Sequence, residues 1–300
     1  MVKMTKTAKA NIIKACFLFP VPYGIILGWR AVRRHLQRKG DNKKNIEKRF
    51  QSNLRRYRHI YRREDCFVIG AGSSIKSQNI ENLSGKKCIS VSNVYVHPKI
   101  NAIRPAYHVL PNIFKHHAKI YEEKKFVEWL SDMDRVLPSV TKIVMHIEDK
   151  THIDKFDLFR KRDVSWYGHM KWDEGRITEL NPESFPSVWS VSETALALAI
   201  YLGFSSIYLL GIDHDWFNGL FNYFFDHKTQ HILAPDEKKI DFVDSEFQMR
   251  RHAYIFKKYK ELYRLHGRIF NCNSNKNSYV DIFPKLELDE VLFSKNINSL

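Results

Sequence analysis

"CFVIGAGSSI", residues 66–75, is the stretch on which the fold turns. Cys66 to Ile69 form a short, wholly apolar run, the signature of a strand buried on both faces. Gly70-Ala71-Gly72 follows as a turn, and Ser73 and Ser74 open what reads as a helix. A strand that feeds a glycine turn into a helix is the arrangement with which α/β proteins hold phosphates.

Outward from that stretch the chain keeps alternating. "KKCISVSN" (86–93), "AYHVLPN" (106–112), "TKIVMHIED" (141–149), "SSIYLLGID" (205–213) and "RIFNCN" (268–273) read as further strands. "HHAKIYEEKKFVEWLSDM" (116–133) and "EFQMRRHAYIFKKYKELYRLHG" (246–267) have helical periodicity. "SVSETALALAIYLGF" (190–204) is a helix with Ser192 as the expected N-cap and Gly203 as its stop. Strands alternating with helices predict an α/β, Rossmann-like fold: a mostly parallel sheet with helices on both faces. One such domain is expected over 64–300, preceded by a basic helical arm over 1–63. There are no internal repeats.

Charge supports that division. Residues 1–63 hold 18 of the 49 lysines and arginines but only two of the 33 acids, Asp41 and Glu47, so the remainder is electrically balanced. A nucleic-acid binder would spread positive charge over its folded surface, so no nucleic-acid partner is expected. Lys14 and Arg30 bracket fifteen uncharged residues, "ACFLFPVPYGIILGW". That run is shorter than the roughly 20 apolar residues of a membrane span, and Pro20, Pro22 and Gly24 interrupt it. Dense positive charge follows where a signal peptide would carry its cleavage site. Aromatics and leucines beside Lys and Arg predict a segment lying in an anionic membrane interface. A signal sequence or short membrane span, or a partner- or RNA-binding arm, is the alternative. Residues 41–63 read as a basic helix leading into the first strand. The expected location is cytoplasmic, peripheral on the inner membrane face. The four cysteines, Cys16, Cys66, Cys88 and Cys272, form no CxxC or zinc-finger spacing.

In a parallel sheet, ligands sit beyond the carboxyl ends of the strands. That rule nominates Gly70, Gly72, Ser73 and Ser74, then Ser92 and Asn93, then Asn112, then Asp213, His214 and Asp215. Ser190 and Ser192 begin a helix whose free N–H groups face the same edge, as caps or as ligand contacts. The dinucleotide fingerprint lacks its third glycine and its acid, which counts against NAD, and no GxxxxGK[ST] occurs. "GIDHDW" (211–216) sets two carboxylates around a histidine directly after a buried strand. The aromatic stretch "FNGLFNYFFDHKTQHILAP" (217–235), with His227 and His231, reads as a lid over the edge or as a self-packed loop. No HExxH-type pair is present, and no metal is expected.

"VIGAGSSI", "SVSN", "WSVSETALALAIYLGFSSIYLLGIDHDW", "LAP" and "HGRIFNCN", in that order over residues 65–285, form a recognisable series. It resembles the bacterial relatives of the archaeal 6-hydroxymethylpterin diphosphokinase-like family, itself similar to the Campylobacter-type sialyltransferases that use CMP-sialic acid. The resemblance implies a metal-independent glycosyltransferase with a nucleotide-sugar donor, a CMP-sugar, as substrate and no tightly bound cofactor. Its acceptor would be a glycan or a lipid-linked sugar. By position, Gly70, Gly72, Ser73 and Ser74 would face the nucleotide, as would Asn93, Asn112, Ser190, Ser192 and Asp213. Ala71 stands where the pattern has asparagine, and His214, Asp215 and Trp216 where it has tyrosines. The region of the pattern's general-base histidine reads "IDFVDSEF" here. The proton acceptor is therefore sought among His214, Asp215, His227 and Asp244. Two other readings are carried forward. One is a Mg-ATP diphosphokinase using Asp213 and Asp215, and the other is a non-catalytic module at the membrane.

Overall fold

The computed structural model describes residues 50–113, 123–215, 223–225, 242–273 and 280–297. The chain separates into two compact units, Met1–Phe50 and Gln51–Leu300, and the architecture below is that of the second. Trp216, His227 and residues 1–49 lie outside the described residues.

Seven strands form one sheet. They are β1 Asp65–Ile69, β2 Cys88–Val91, β3 Tyr107–Val109, β4 Lys142–His146, β5 Val164–Tyr167, β8 Ser206–Leu210 and β9 Ile269–Asn271. Their order is β5-β4-β3-β2-β1-β8-β9, and every neighbouring pair is parallel. A separate parallel pair joins β6 His169–Met170 to β7 Phe185–Pro186. The helices are α1 Ile100–Ile103, α2 Glu123–Val136, α3 Lys150–Lys155, α4 Val191–Leu202, α5 Phe242–His266 and α6 Leu288–Ile297.

Side chains in a strand alternate between faces, and β1 shows what that requires here. Cys66 and Val68 enter a layer shared with α4 and with Ile255, Tyr259 and Leu262 of α5. Phe67 and Ile69 enter the opposite layer, built from α1, α2, α3 and α6. Both faces of the sheet are covered, so the central strands are mostly apolar and bury even their polar side chains, Ser90 and His108 among them. This is a mixed α/β, Rossmann-like architecture with helices on both faces of a parallel sheet.

Four sequence expectations change. The glycine turn does not open an α-helix: two 3-10 turns, Ser73–Ser77 and Ile80–Leu83, connect β1 to β2. The N-cap of α4 is Ser190, not Ser192. Its N–H donates to the Glu193 carboxylate at 2.8 Å, the return bond of a capping box. Strand β5 went unread because its burial alternates and it closes the sheet. Residues 50–63, expected to end a basic helix, instead form a 3-10 turn, Asn53–Tyr57, folded onto that edge. Asn53 bonds the Val164 carbonyl at 2.7 Å and the Trp166 N–H at 3.1 Å, supplying partners that an edge strand lacks. Leu54 is wholly buried. The body therefore begins at Gln51 rather than near 64. Among the described residues no helix is long and apolar enough to cross a membrane.

Candidate active site at the strand switch point

The chain lays down β1 to β5 on one side of β1 and then returns to place β8 on the other. In folds of this kind such a reversal marks the ligand side, beyond the carboxyl ends of β1 and β8. The residues after both strands meet there.

The two connections cross very closely. Gly70 N–H donates to Leu210 O, and Gly72 N–H to Gly211 O, each at 2.7 Å. A Cβ on Gly70 would lie 2.3 Å from Gly211 O, and one on Gly72 would lie 2.4 Å from the Asp213 carboxylate. These glycines are fixed by the crossing of the two loops. Asp213 then accepts from the Ser74 N–H at 2.9 Å and from the Ser74 hydroxyl at 2.6 Å. Its carboxylate fills the anion position at the start of the turn. Burial raises the pKa of Asp213, the Ser74 bonds lower it, and the neighbouring Asp215 raises it again. Ser73 is half-buried beside this tie.

His214 follows in a left-handed conformation, with φ 49°. Its Nε2 lies 2.8 Å from the Tyr259 hydroxyl, which lies 2.7 Å from Ser192 Oγ, which lies 2.7 Å from Ser190 Oγ. The chain of polar atoms runs from a buried imidazole to the half-buried N-cap of α4. Burial pulls the His214 pKa down to about 3, helped by the neighbouring His252 and Arg251. The ring therefore stays neutral at physiological pH. In that state its Nε2 and the Tyr259 hydroxyl are hydrogen-bond partners. His252 holds the same turn, its Nε2 facing the His214 carbonyl at 2.7 Å and its Nδ1 the Gln248 carbonyl at 2.7 Å. Asp215 is buried next in line. Arg251 donates to the Trp189 carbonyl at 2.9 and 3.2 Å. Of the aromatic stretch, Tyr223–Phe225 is described. Tyr223 bridges to Gly72, and Phe224 N–H donates to Ala71 O at 3.1 Å, so this segment crosses the glycine turn.

The remaining candidates lie farther along the edge. Asn93 accepts from the Trp129 indole at 2.9 Å. Asn112 donates to Glu148 at 2.6 Å and faces His146 Nδ1 at 3.0 Å, while its own Oδ1 is buried without a partner. Asp244 is in the first turn of α5, and its side chain, like His227, lies outside the described residues. Ser190, Ser192, Asp213, His214 and Asp215 are thus brought together, and Asn93 and Asn112 are not among them.

The sequence reading missed Tyr259, His252, Arg251, Glu193 and Lys258. Four of these sit on α5, where the pairs 252/259 and 251/258 are each seven residues apart and so fall on one stripe. A histidine and a tyrosine in register on an otherwise amphipathic helix were the available signal. Among the described residues, no three His, Cys, Asp or Glu side chains are placed to hold a metal ion.

No family model matches the chain, and no curated protein matches it. Among solved structures, it is similar to the sialyltransferase CstII from Campylobacter jejuni in complex with a substrate analogue, cytidine-5'-monophosphate. The identity is 16%, the TM-score is 0.43, and the match covers 75% of this chain and 85% of that one. The likeness is distant and concerns the fold.

Proposed function

We propose that the body is a glycosyltransferase that takes a nucleotide-activated sugar, a CMP-sugar, at the β1/β8 switch point and passes it to an acceptor hydroxyl. The observation that carries this reading is the hydrogen-bonded chain His214–Tyr259–Ser192–Ser190, which opens beside the N-terminus of α4. An acceptor hydroxyl at Ser190 loses its proton to the Asp215 carboxylate while its oxygen bonds the anomeric carbon. The bond from that carbon to the phosphate breaks, and the electron pair leaves with the nucleotide. Arg251 supplies positive charge for the departing phosphate, and neutral His214 keeps Tyr259 aimed. We assign residues 1–50, from their charge and apolar run, to the cytoplasmic face of an anionic membrane, next to a lipid-linked acceptor.

Thermal shifts of the full chain with CMP, CDP, UDP, GDP, ATP and NAD, each with and without Mg²⁺, test the reading. A ligand at a hundred times its Kd adds about 2.7 kcal/mol to the folded state. Stabilisation by CMP or CDP without metal is expected. Stabilisation by ATP only with Mg²⁺ would sink it in favour of phosphoryl transfer, and silence throughout would favour a module without catalysis.

A further inference from the structure

The segment Ser187–Ser190 is held with unusual thoroughness. Lys258 donates to the Ser187 carbonyl, and Tyr254 donates to the same oxygen at 3.3 Å. The Glu193 carboxylate accepts from the N–H groups of Trp189 and Ser190, each at 2.8 Å. Arg251 takes the Trp189 carbonyl. Lys258 and Glu193 themselves form an ion pair at 2.9 Å, with side chains 1% and 0% exposed. The Lys258 ammonium sits 4.4 Å from the Tyr254 ring centre and 5.0 Å from that of Trp172.

Burying two charges is costly, and a buried pair is weak evidence of a gain in stability. Here their hydrogen bonds converge on the backbone of Ser187, Trp189 and Ser190. What those residues present outward is the indole of Trp189, 42% exposed, and the hydroxyl of Ser190. The indole is braced edge-on by Phe247 at 5.4 Å and Tyr254 at 5.9 Å, and Phe247 is itself 47% exposed. A large apolar ring left half in water, on a backbone tied at both its own N–H and its own carbonyl, is a preorganised contact. It lies one residue from the outer end of the hydroxyl chain.

We propose that Trp189, backed by Phe247, is the stacking surface for a pyranose ring of the acceptor, setting a ring hydroxyl beside Ser190. This rests on the transferase reading for the word acceptor, but the ring-binding surface itself does not. One indole matches the C–H face of one sugar ring, and the polar groups around it, Ser190 Oγ and the Arg251 guanidinium, match the ring's hydroxyl edge. A lipid interface needs no such fixed orientation. Glu193 and Lys258 are positioning residues for this surface.

The test uses the full chain without any donor. Saturation-transfer NMR is run against methyl glycosides of galactose, glucose and their N-acetylamino forms, and against disaccharides ending in them. At least one sugar is expected to receive saturation at its ring C–H protons. Trp189→Ala should weaken that sugar at least tenfold, Trp189→Phe by no more than threefold, and both should melt with the wild type. Failure of every sugar to bind overturns the proposal, as does an alanine variant that binds like the wild type. Loss of melting temperature in both variants would make Trp189 merely structural. Binding to phosphatidylglycerol vesicles that needs Trp189, when no sugar binds, would assign the surface to lipid and overturn it too. A silent nucleotide panel with sugar binding intact sinks the transferase reading alone. Nucleotide binding without sugar binding sinks this surface alone.

Discussion

Asp213, His214 and Asp215 are consecutive and buried, yet they work in three directions. Asp213 ties the glycine turn, His214 faces the Tyr259 hydroxyl, and Asp215 is the carboxylate we propose for the acceptor proton. Their neighbourhood also sets how the protein responds to acid. His214 and His108, the latter wholly enclosed in the sheet with Ser90 at 2.7 Å, are each pulled by burial to about 3. Unfolded, such rings take up a proton near pH 6.5. Between the two values the unfolded chain binds protons that the folded chain refuses. The stability these rings contribute is therefore complete above pH 6.5 and falls as pH drops toward 3. His108→Gln should make stability less steep between pH 6 and 4 by about 1 kcal/mol per pH unit. Urea midpoints across that range measure it, and an unchanged slope would show that His108 titrates normally.

At the scale of elements, α4 is the organiser. Its first turn carries the cap, the hydroxyl chain and the carboxylate that fixes Ser187–Ser190. Glu193→Ala should destabilise the fold by about 3–5 kcal/mol, because it strands the buried Lys258 ammonium. Adding Lys258→Met should restore a good part of that loss in denaturant unfolding, whereas equal losses in the single and double variants would refute the coupling. This helix was legible in the sequence down to its stop at Gly203, because a run such as "ALALAIYL" fits only a helix buried all round. Strand β1 was legible for the same kind of reason. The 3-10 turns after it were not, since "GAGSSI" is compatible with any turn that leaves a strand, and the choice depends on a carboxylate from residue 213. The cap slipped by two residues because Ser190 and Ser192 are both good caps, and only Glu193, three after the first, tells them apart. Much of the site came from α5, whose periodicity marks a helix without saying which polar residues turn toward α4 and the 211–215 loop.

On the scale of the whole molecule, net charge and compactness divide the chain at different points. The charge balance changes near residue 63, but the folded body starts at Gln51. Residues 52–57 bring Leu54 into the core, Ser52 and Arg55 to Glu183, and Tyr57 to Asp163. A chain starting at 64 should therefore melt below one starting at 51, because it uncovers the β5 edge and leaves Glu183 buried without its partners. Calorimetry of the two decides, and equal melting temperatures would mean that the turn adds nothing.

The strand order has one further consequence, for synthesis. β1 pairs along its whole length with β8, across roughly 140 residues of intervening chain. A ribosome adding about 5–20 residues per second needs on the order of ten seconds to deliver that partner. During that interval β1 is an outer strand of the nascent sheet, with one row of its N–H and C=O groups unmatched. A strand buried at four of its five positions in the finished protein is thus adhesive while the chain is being made. That edge stays open until β8 emerges and closes it.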